Sequence, residues 1–191
     1  MSGDIVSVMA EDQDVLVAAR AVIERVGIGA LTLTAVAREA GIGRATLYRR
    51  FASRDDLITA LVVTELNDLE ALVTNRLRFA DQPEQTITML VREVLDHNAR
   101  NEPLHAALQN DAAELLPWLI RTRSHPTLVD VVTERALAHI ADSPLADELH
   151  PDPASAIEFM VGAIYANLLS PARHLTHAQL AEFITSAVHR P

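Results

Sequence analysis

The sequence predicts an all-α chain. Apolar residues recur at helical spacing along almost all of its 191 residues, and no segment alternates apolar and polar residues with a period of two. Capping residues, glycines and prolines break the apolar runs at intervals that suit helices, so no sheet is expected.

Taken in order, Val15, Ala19, Val22, Ile23 and Val26 lie on one helical face that stops at Gly27. Thr32 is placed to cap a short helix holding Leu33, Val36, Ala37 and Ala40, which Gly41 ends. The break Gly41-Ile42-Gly43 leads into a second short helix, Arg44 to Phe51. Ser53 and Asp56 have capping-box spacing for a long helix running to about Phe79. Ile87, Leu90, Val91, Val94 and Leu95 form the stripe of the next helix. Pro103, Pro117 and Pro126 then divide the chain into shorter helices near 102–110, 112–121 and 125–141. The three prolines of SPLADELHPDP (143–153) predict a loop. A helix from Ala154 to Leu169 is apolar on nearly every side, and Thr176 with Gln179 opens a last helix carrying Leu180, Phe183, Ile184 and Val188.

Composition narrows the classes. Nearly half the residues are apolar, enough for a packed core. Cysteine is absent, which removes disulfide frameworks and thiolate metal sites. No apolar run reaches the ~18 residues of a membrane span. The start, MSGDIVSVMAEDQD, lacks a basic leader followed by an apolar stretch, so a cytoplasmic protein is expected. All 16 cationic residues are arginine, as base composition of the genome would explain. The net charge of −10 is unevenly spread: Arg38, Arg44, Arg49, Arg50 and Arg54 stand against Glu39 alone within one short stretch. A local positive patch on an acidic body fits a small polyanion footprint, although an acidic enzyme with a basic substrate pocket has the same charge layout.

The patch coincides with AGIGRATLYRRF, Ala40 to Phe51. Two short helices joined by a three-residue glycine break have helix-turn-helix geometry. On a helical wheel Leu47 and Phe51 point together toward a core. The opposite arc carries Ala45, Thr46, Tyr48 and Arg49, flanked by Arg44 and Arg50. Insertion into a major groove needs such an arc. Ala45 allows close approach, Thr46 and Tyr48 offer hydroxyls, and arginine can pair with guanine or phosphate. Gly43 leaves the start of the helix uncovered for phosphate.

The stretch LTAVAREAGIGRATLYRRF, Leu33 to Phe51, resembles the helix-turn-helix of the tetracycline-repressor (TetR) family of bacterial regulators. The resemblance rests on Thr32, Val36-Ala37, Ala40-Gly41-Ile42, Thr46-Leu47-Tyr48, Phe51 and Leu57, and covers about a quarter of the chain, roughly Val15 to Leu61. It implies a homodimer that binds double-stranded DNA at a palindromic operator. A DNA-binding domain (1–56) would precede a helical ligand-binding and dimerisation domain (57–191), and a small-molecule effector would release a repressor from DNA. By position it carries DNA contact onto Thr32, Arg44, Thr46, Tyr48, Arg50 and Arg54. Gly43 stands where serine is common and Arg50 where histidine is common, and the N-terminal stretch carries Asp4, Glu11, Asp12 and Asp14 rather than basic residues.

One such module reads one half-site, so a two-fold dimer is expected. The helix lacking a polar face and its successor are the candidate surface, through Ile157, Met160, Val161, Ile164, Leu168, Leu180, Phe183 and Ile184. The helices between them and the N-terminal domain are expected to enclose an apolar pocket. Met89, Leu90, Trp118, Phe159 and Tyr165 are candidates for its wall, and Gln109, Asn110 and Asn167 for orienting a ligand's polar end. These residues are equally what an ordinary core or surface would contain. A bundle enzyme with a carboxylate-bridged metal is the competing class. It needs two Glu-x-x-His pairs, and only Glu102-Pro103-Leu104-His105 is present, with proline inside it. Neither a nucleophile triad nor a phosphate loop is found, so no catalytic residue, metal or cofactor is expected. A third class, a helical partner-binding adaptor without DNA binding, leaves Thr46, Tyr48 and the arginines unexplained.

Overall fold

The computed structural model describes residues 2–77, 82–121, 126–141 and 143–189. Among them the chain forms eleven helices and no strand: α1 (Ser2–Val26), α2 (Leu33–Glu39), α3 (Arg44–Arg50), α4 (Arg54–Leu77), α5 (Pro83–Arg100), α6 (Glu102–Asn110), α7 (Ala112–Leu119), α8 (Leu128–Ile140), α9 (Pro144–Asp147), α10 (Pro153–Leu169) and α11 (His177–Val188). An isolated antiparallel bridge joins Leu149 to His189. The all-α expectation holds.

The capping signals act as their spacing predicts. The Thr32 hydroxyl accepts from the Ala35 N–H at the start of α2. Ser53 and Asp56 exchange reciprocal side-chain bonds to each other's N–H groups. Thr176 and Gln179 close the same box at α11. Thr127 and Asp130 form a further box at α8. Helix α1 extends far upstream of Val15. One expectation changes. The loop expected over 143–153 contains α9, because Ser143 caps the Leu145 N–H and Pro144 sits in the first turn, where a missing N–H costs nothing. The expected end of α4 at Phe79 and start of α8 at His125 lie outside the described residues.

The chain divides into two compact units, Met1–Glu65 with Glu102–Leu115, and Leu66–Asn101 with Leu116–Pro191. Residues 57–65 and the returning segment 102–115 group with the first unit. That unit packs Val15, Ala19, Val22 and Ile23 of α1, Leu33, Val36 and Ala37 of α2, Leu47 of α3, and Leu57 and Leu61 of α4 into its interior.

The second unit is built on Ile87, Val91 and Leu95 of α5, Ile157, Val161 and Ile164 of α10, and Ala181, Ile184 and Val188 of α11. Most residues of the expected intersubunit surface lie in or against this core. Ile157, Val161, Ile164 and Ile184 are buried by their own unit, and Met160 and Leu180 pack against the same core. A helix apolar all round has one side for its own core, and here these residues occupy it. The outward apolar residues of the pair are Phe159, Leu169 and Phe183, exposed at 51%, 51% and 61%. Leu168 is half-buried.

Candidate nucleic-acid interface

The turn between α2 and α3 is set by one glycine. Gly41 takes φ +66, and around it the Ile42 N–H bonds the Ala37 carbonyl while the Gly41 N–H bonds that of Arg38. This pair of bonds is a Schellman motif, which requires a left-handed residue where Gly41 stands. Gly43 is different. Its φ of −67 suits any residue, and an added Cβ would meet only the Thr46 hydroxyl at 3.8 Å. Serine, the residue common at this place in the family that the stretch resembles, would therefore fit.

Helix α3 is divided as the wheel predicts. Leu47 is fully buried and Phe51, just past its end, is buried too. Gly43, Arg44, Ala45, Tyr48 and Arg49 are exposed, with Thr46 and Arg50 half-buried at the edges. Arg50 Nε lies 3.9 Å from Asp12 Oδ1, so an acidic residue of α1 stands beside the flank of this face. Thr32 is exposed as well. Its oxygen is engaged as the α2 cap, and the hydroxyl proton can still be donated outward. The structure thus brings Thr32, Arg44, Ala45, Thr46, Tyr48 and Arg49 to exposed or edge positions on an arginine-bearing helix pair.

Arg54 is placed otherwise. Its Nη2 donates to the Ile28 carbonyl at 2.7 Å, its Nε to the Leu31 carbonyl at 3.2 Å, and its Nη1 to Glu114 at 3.1 Å. Two of the guanidinium nitrogens of this expected DNA contact are thus engaged on the chain that precedes α2. The same turn is held from its other side. Asp111 accepts from the Gly29 N–H at 2.9 Å. A Cβ at Gly27 or Gly29 would come within 2.4 or 2.5 Å of that carboxylate, and Gly27 also has φ +82. Sequence reasoning missed this arrangement. The Gly27-Ile28-Gly29 spacing was its one visible signal, and Asp111 is 82 positions away.

The expected effector residues do not form one group. Gln109 and Asn110 are exposed and belong to the first unit, whereas Met89, Trp118, Phe159, Tyr165 and Asn167 belong to the second. Phe159 and Met89 stand at the surface, and the Asn167 side chain accepts from the Ala172 N–H, holding the turn after α10. Trp118 and Tyr165 are half-buried, and burial raises the Tyr165 hydroxyl above its ordinary pKa, so it stays a neutral donor. Among the described residues no three acidic or histidine side chains converge as metal ligands, and no helix is long and apolar enough to cross a membrane.

Residues 15–61 match the family described as bacterial regulatory proteins, tetR family. The sequence has no match among curated proteins. In fold the chain is similar to the TetR family repressor AlkX from Dietzia sp. strain DQ12-45-1b, implicated in biodegradation of n-alkanes, with TM-score 0.68 and 21% identity over 91% of this chain and 93% of that one. It is similar to a TetR-family transcriptional regulator of Pectobacterium atrosepticum, with TM-score 0.65 and 16% identity over 94% and 90%. It also resembles SmeT, the repressor of the Stenotrophomonas maltophilia multidrug efflux pump SmeDEF, with TM-score 0.58 and 18% identity over 93% and 90%.

Proposed function

We propose, from the premise that residues 15–61 belong to the tetR family of bacterial regulatory proteins, that this DNA-binding transcriptional regulator is a repressor. Its dimer binds a palindromic operator and is released by a small apolar effector. One observation carries the reading. The buried Leu47 and the half-exposed Tyr48 are neighbours on α3, so that helix is anchored on one side and offers hydroxyls and arginines on the other. Arg44, Ala45, Thr46, Tyr48 and Arg49 form the contact face, with Thr32 at the start of α2 and Arg50 at the flank. Non-enzymatic DNA binding is the activity of the family, and its place is the cytoplasm.

The dimer is formed through α10 and α11, with Phe159 and Phe183 outward. The second unit receives the effector, and Trp118 and Tyr165 are its contacts there. An effector releases DNA only if it binds the DNA-incompetent arrangement more tightly, each ~1.4 kcal/mol of preference shifting the ratio tenfold. AlkX and SmeT, named for alkane degradation and multidrug efflux, support an apolar class of ligand.

The test is a mobility shift with the promoter DNA of the gene itself. Saturable binding that survives excess random duplex, weakens steeply with salt, and is relieved by an alkane or drug-like apolar compound is the expected result. Indifference to every duplex at low ionic strength refutes the reading. Trp118 is the one tryptophan of the chain, so its fluorescence reports effector binding independently of DNA.

A further inference from the structure

The helix-turn-helix, Thr32 to Phe51, is closed at both ends by residues outside it. Arg54, three residues beyond Phe51, bonds the carbonyls of Ile28 and Leu31, just ahead of Thr32. One guanidinium therefore ties the chain entering the motif to the chain leaving it. Two carboxylates one turn apart at the start of α7 grip that tie from the segment 102–115. Asp111 holds the entering side through the Gly29 N–H, and Glu114 holds the leaving side through Arg54 Nη1. The socket is shaped for Asp111, since a side chain at Gly27 or Gly29 would collide with its carboxylate. The Asp111 carbonyl also accepts from the Glu114 N–H at 2.9 Å, so the two acids share one rigid turn.

We propose that Asp111 and Glu114 are positioning residues for DNA recognition: with Arg54 they form a clasp that fixes the entry and exit of the helix-turn-helix and so sets DNA affinity from outside the motif. The inference rests on the DNA-binding reading above and deepens it. The physical reason is pre-organisation. The arc on α3 docks at full strength only if α2 and α3 already hold their docked geometry. A turn free to move must be ordered at the moment of binding. The sign of the effect separates the clasp from plain electrostatics. Removing an acid near an arginine-rich face should strengthen attraction to a polyanion. Loss of the clasp should weaken it.

The experiment uses the full chain and a duplex obtained by selection from a random-sequence library on the wild-type protein. Asp111→Ala and Glu114→Gln are measured for duplex affinity by fluorescence anisotropy at 25 °C and for thermal unfolding. The expected result is a Kd raised about tenfold in Asp111→Ala and a few-fold in Glu114→Gln, on the scale of one lost charge-assisted hydrogen bond, in proteins that remain folded at the assay temperature. A merely stabilising role lowers the unfolding temperature and leaves the Kd of the folded protein unmoved. Unchanged or tighter binding by folded variants overturns the clasp. If Asp111→Ala does not fold, Glu114→Gln, whose side chain is 43% exposed, decides by the same criterion. A wild-type protein that selects no duplex defeats the DNA-binding reading itself, an outcome distinct from variants that bind as wild type does.

Discussion

Leu47 and Tyr48 are adjacent in sequence and opposite in fate, fully buried and 51% exposed, and that contrast makes two predictions about single side chains. Leu47→Ala leaves a cavity in the first unit and should cost about 2–5 kcal/mol, read as a lowered denaturation midpoint. Tyr48→Phe should leave the midpoint alone and weaken all duplexes nearly equally, because a phosphate contact carries no sequence information. Arg44→Ala should do more: if Arg44 reads a guanine, discrimination at that position relaxes by about 1–3 kcal/mol, seen by comparing selected and mutated duplexes. Equal, unaltered affinity in both variants would remove the assigned face. Gly27 is constrained differently. Gly27→Ala meets both a positive φ and the Asp111 carboxylate, so it should destabilise the first unit although no contact is deleted.

At the scale of elements, helix starts were the most legible feature, because a cap is a matter of three neighbouring residues. Thr32, Ser53 and Thr176 are legible directly, and the Thr127–Asp130 box has the same three-residue spacing just after Pro126. Caps also make the structure sensitive to acid. The backbone N–H of Thr127 holds the Asp130 carboxyl below its ordinary value of 3.8, and that of Ser155 does the same for Asp152 at the start of α10. Hydrogen bonding to His139, aided by Arg135, lowers Glu70, where α4 meets α8. Each is a depressed carboxylate. Its contribution is complete above the ordinary carboxylate value and disappears as pH falls through the lower folded value. Thermal melts should therefore be flat in this respect near neutrality and fall below about pH 4, with a smaller fall in Asp152→Asn. Long-range features were not legible. Nothing near Asp111 announces Gly29, and a helix as apolar all round as α10 does not say which side meets its own core, the side that carries Ile157 and Val161.

At the scale of the whole molecule, the proposal that two copies read a palindrome places a demand on α10 and α11. They pack on each other within the second unit and leave Phe159, Ala166 and Leu169 of α10 and Phe183 of α11 exposed. Gly162 lies on the same helix, with open space where its Cβ would be, so a partner helix can approach closely there. A two-fold interface counts every substitution twice. Burying a phenylalanine is worth about 1.5–3 kcal/mol, so Phe183→Glu should weaken self-association by about a hundredfold to ten-thousandfold, before repulsion between the paired carboxylates is added. Sedimentation at micromolar concentration should show a monomer with an unchanged far-ultraviolet helical signal, because Phe183 is 61% exposed. The monomer keeps an intact helix-turn-helix. Its affinity for a single half-site should therefore match the wild type, while its affinity for the full palindrome collapses toward the half-site value. A Phe183→Glu protein that still sediments as a dimer would move the interface off these helices. One that is monomeric yet binds the palindrome undiminished would mean that recognition does not require two copies.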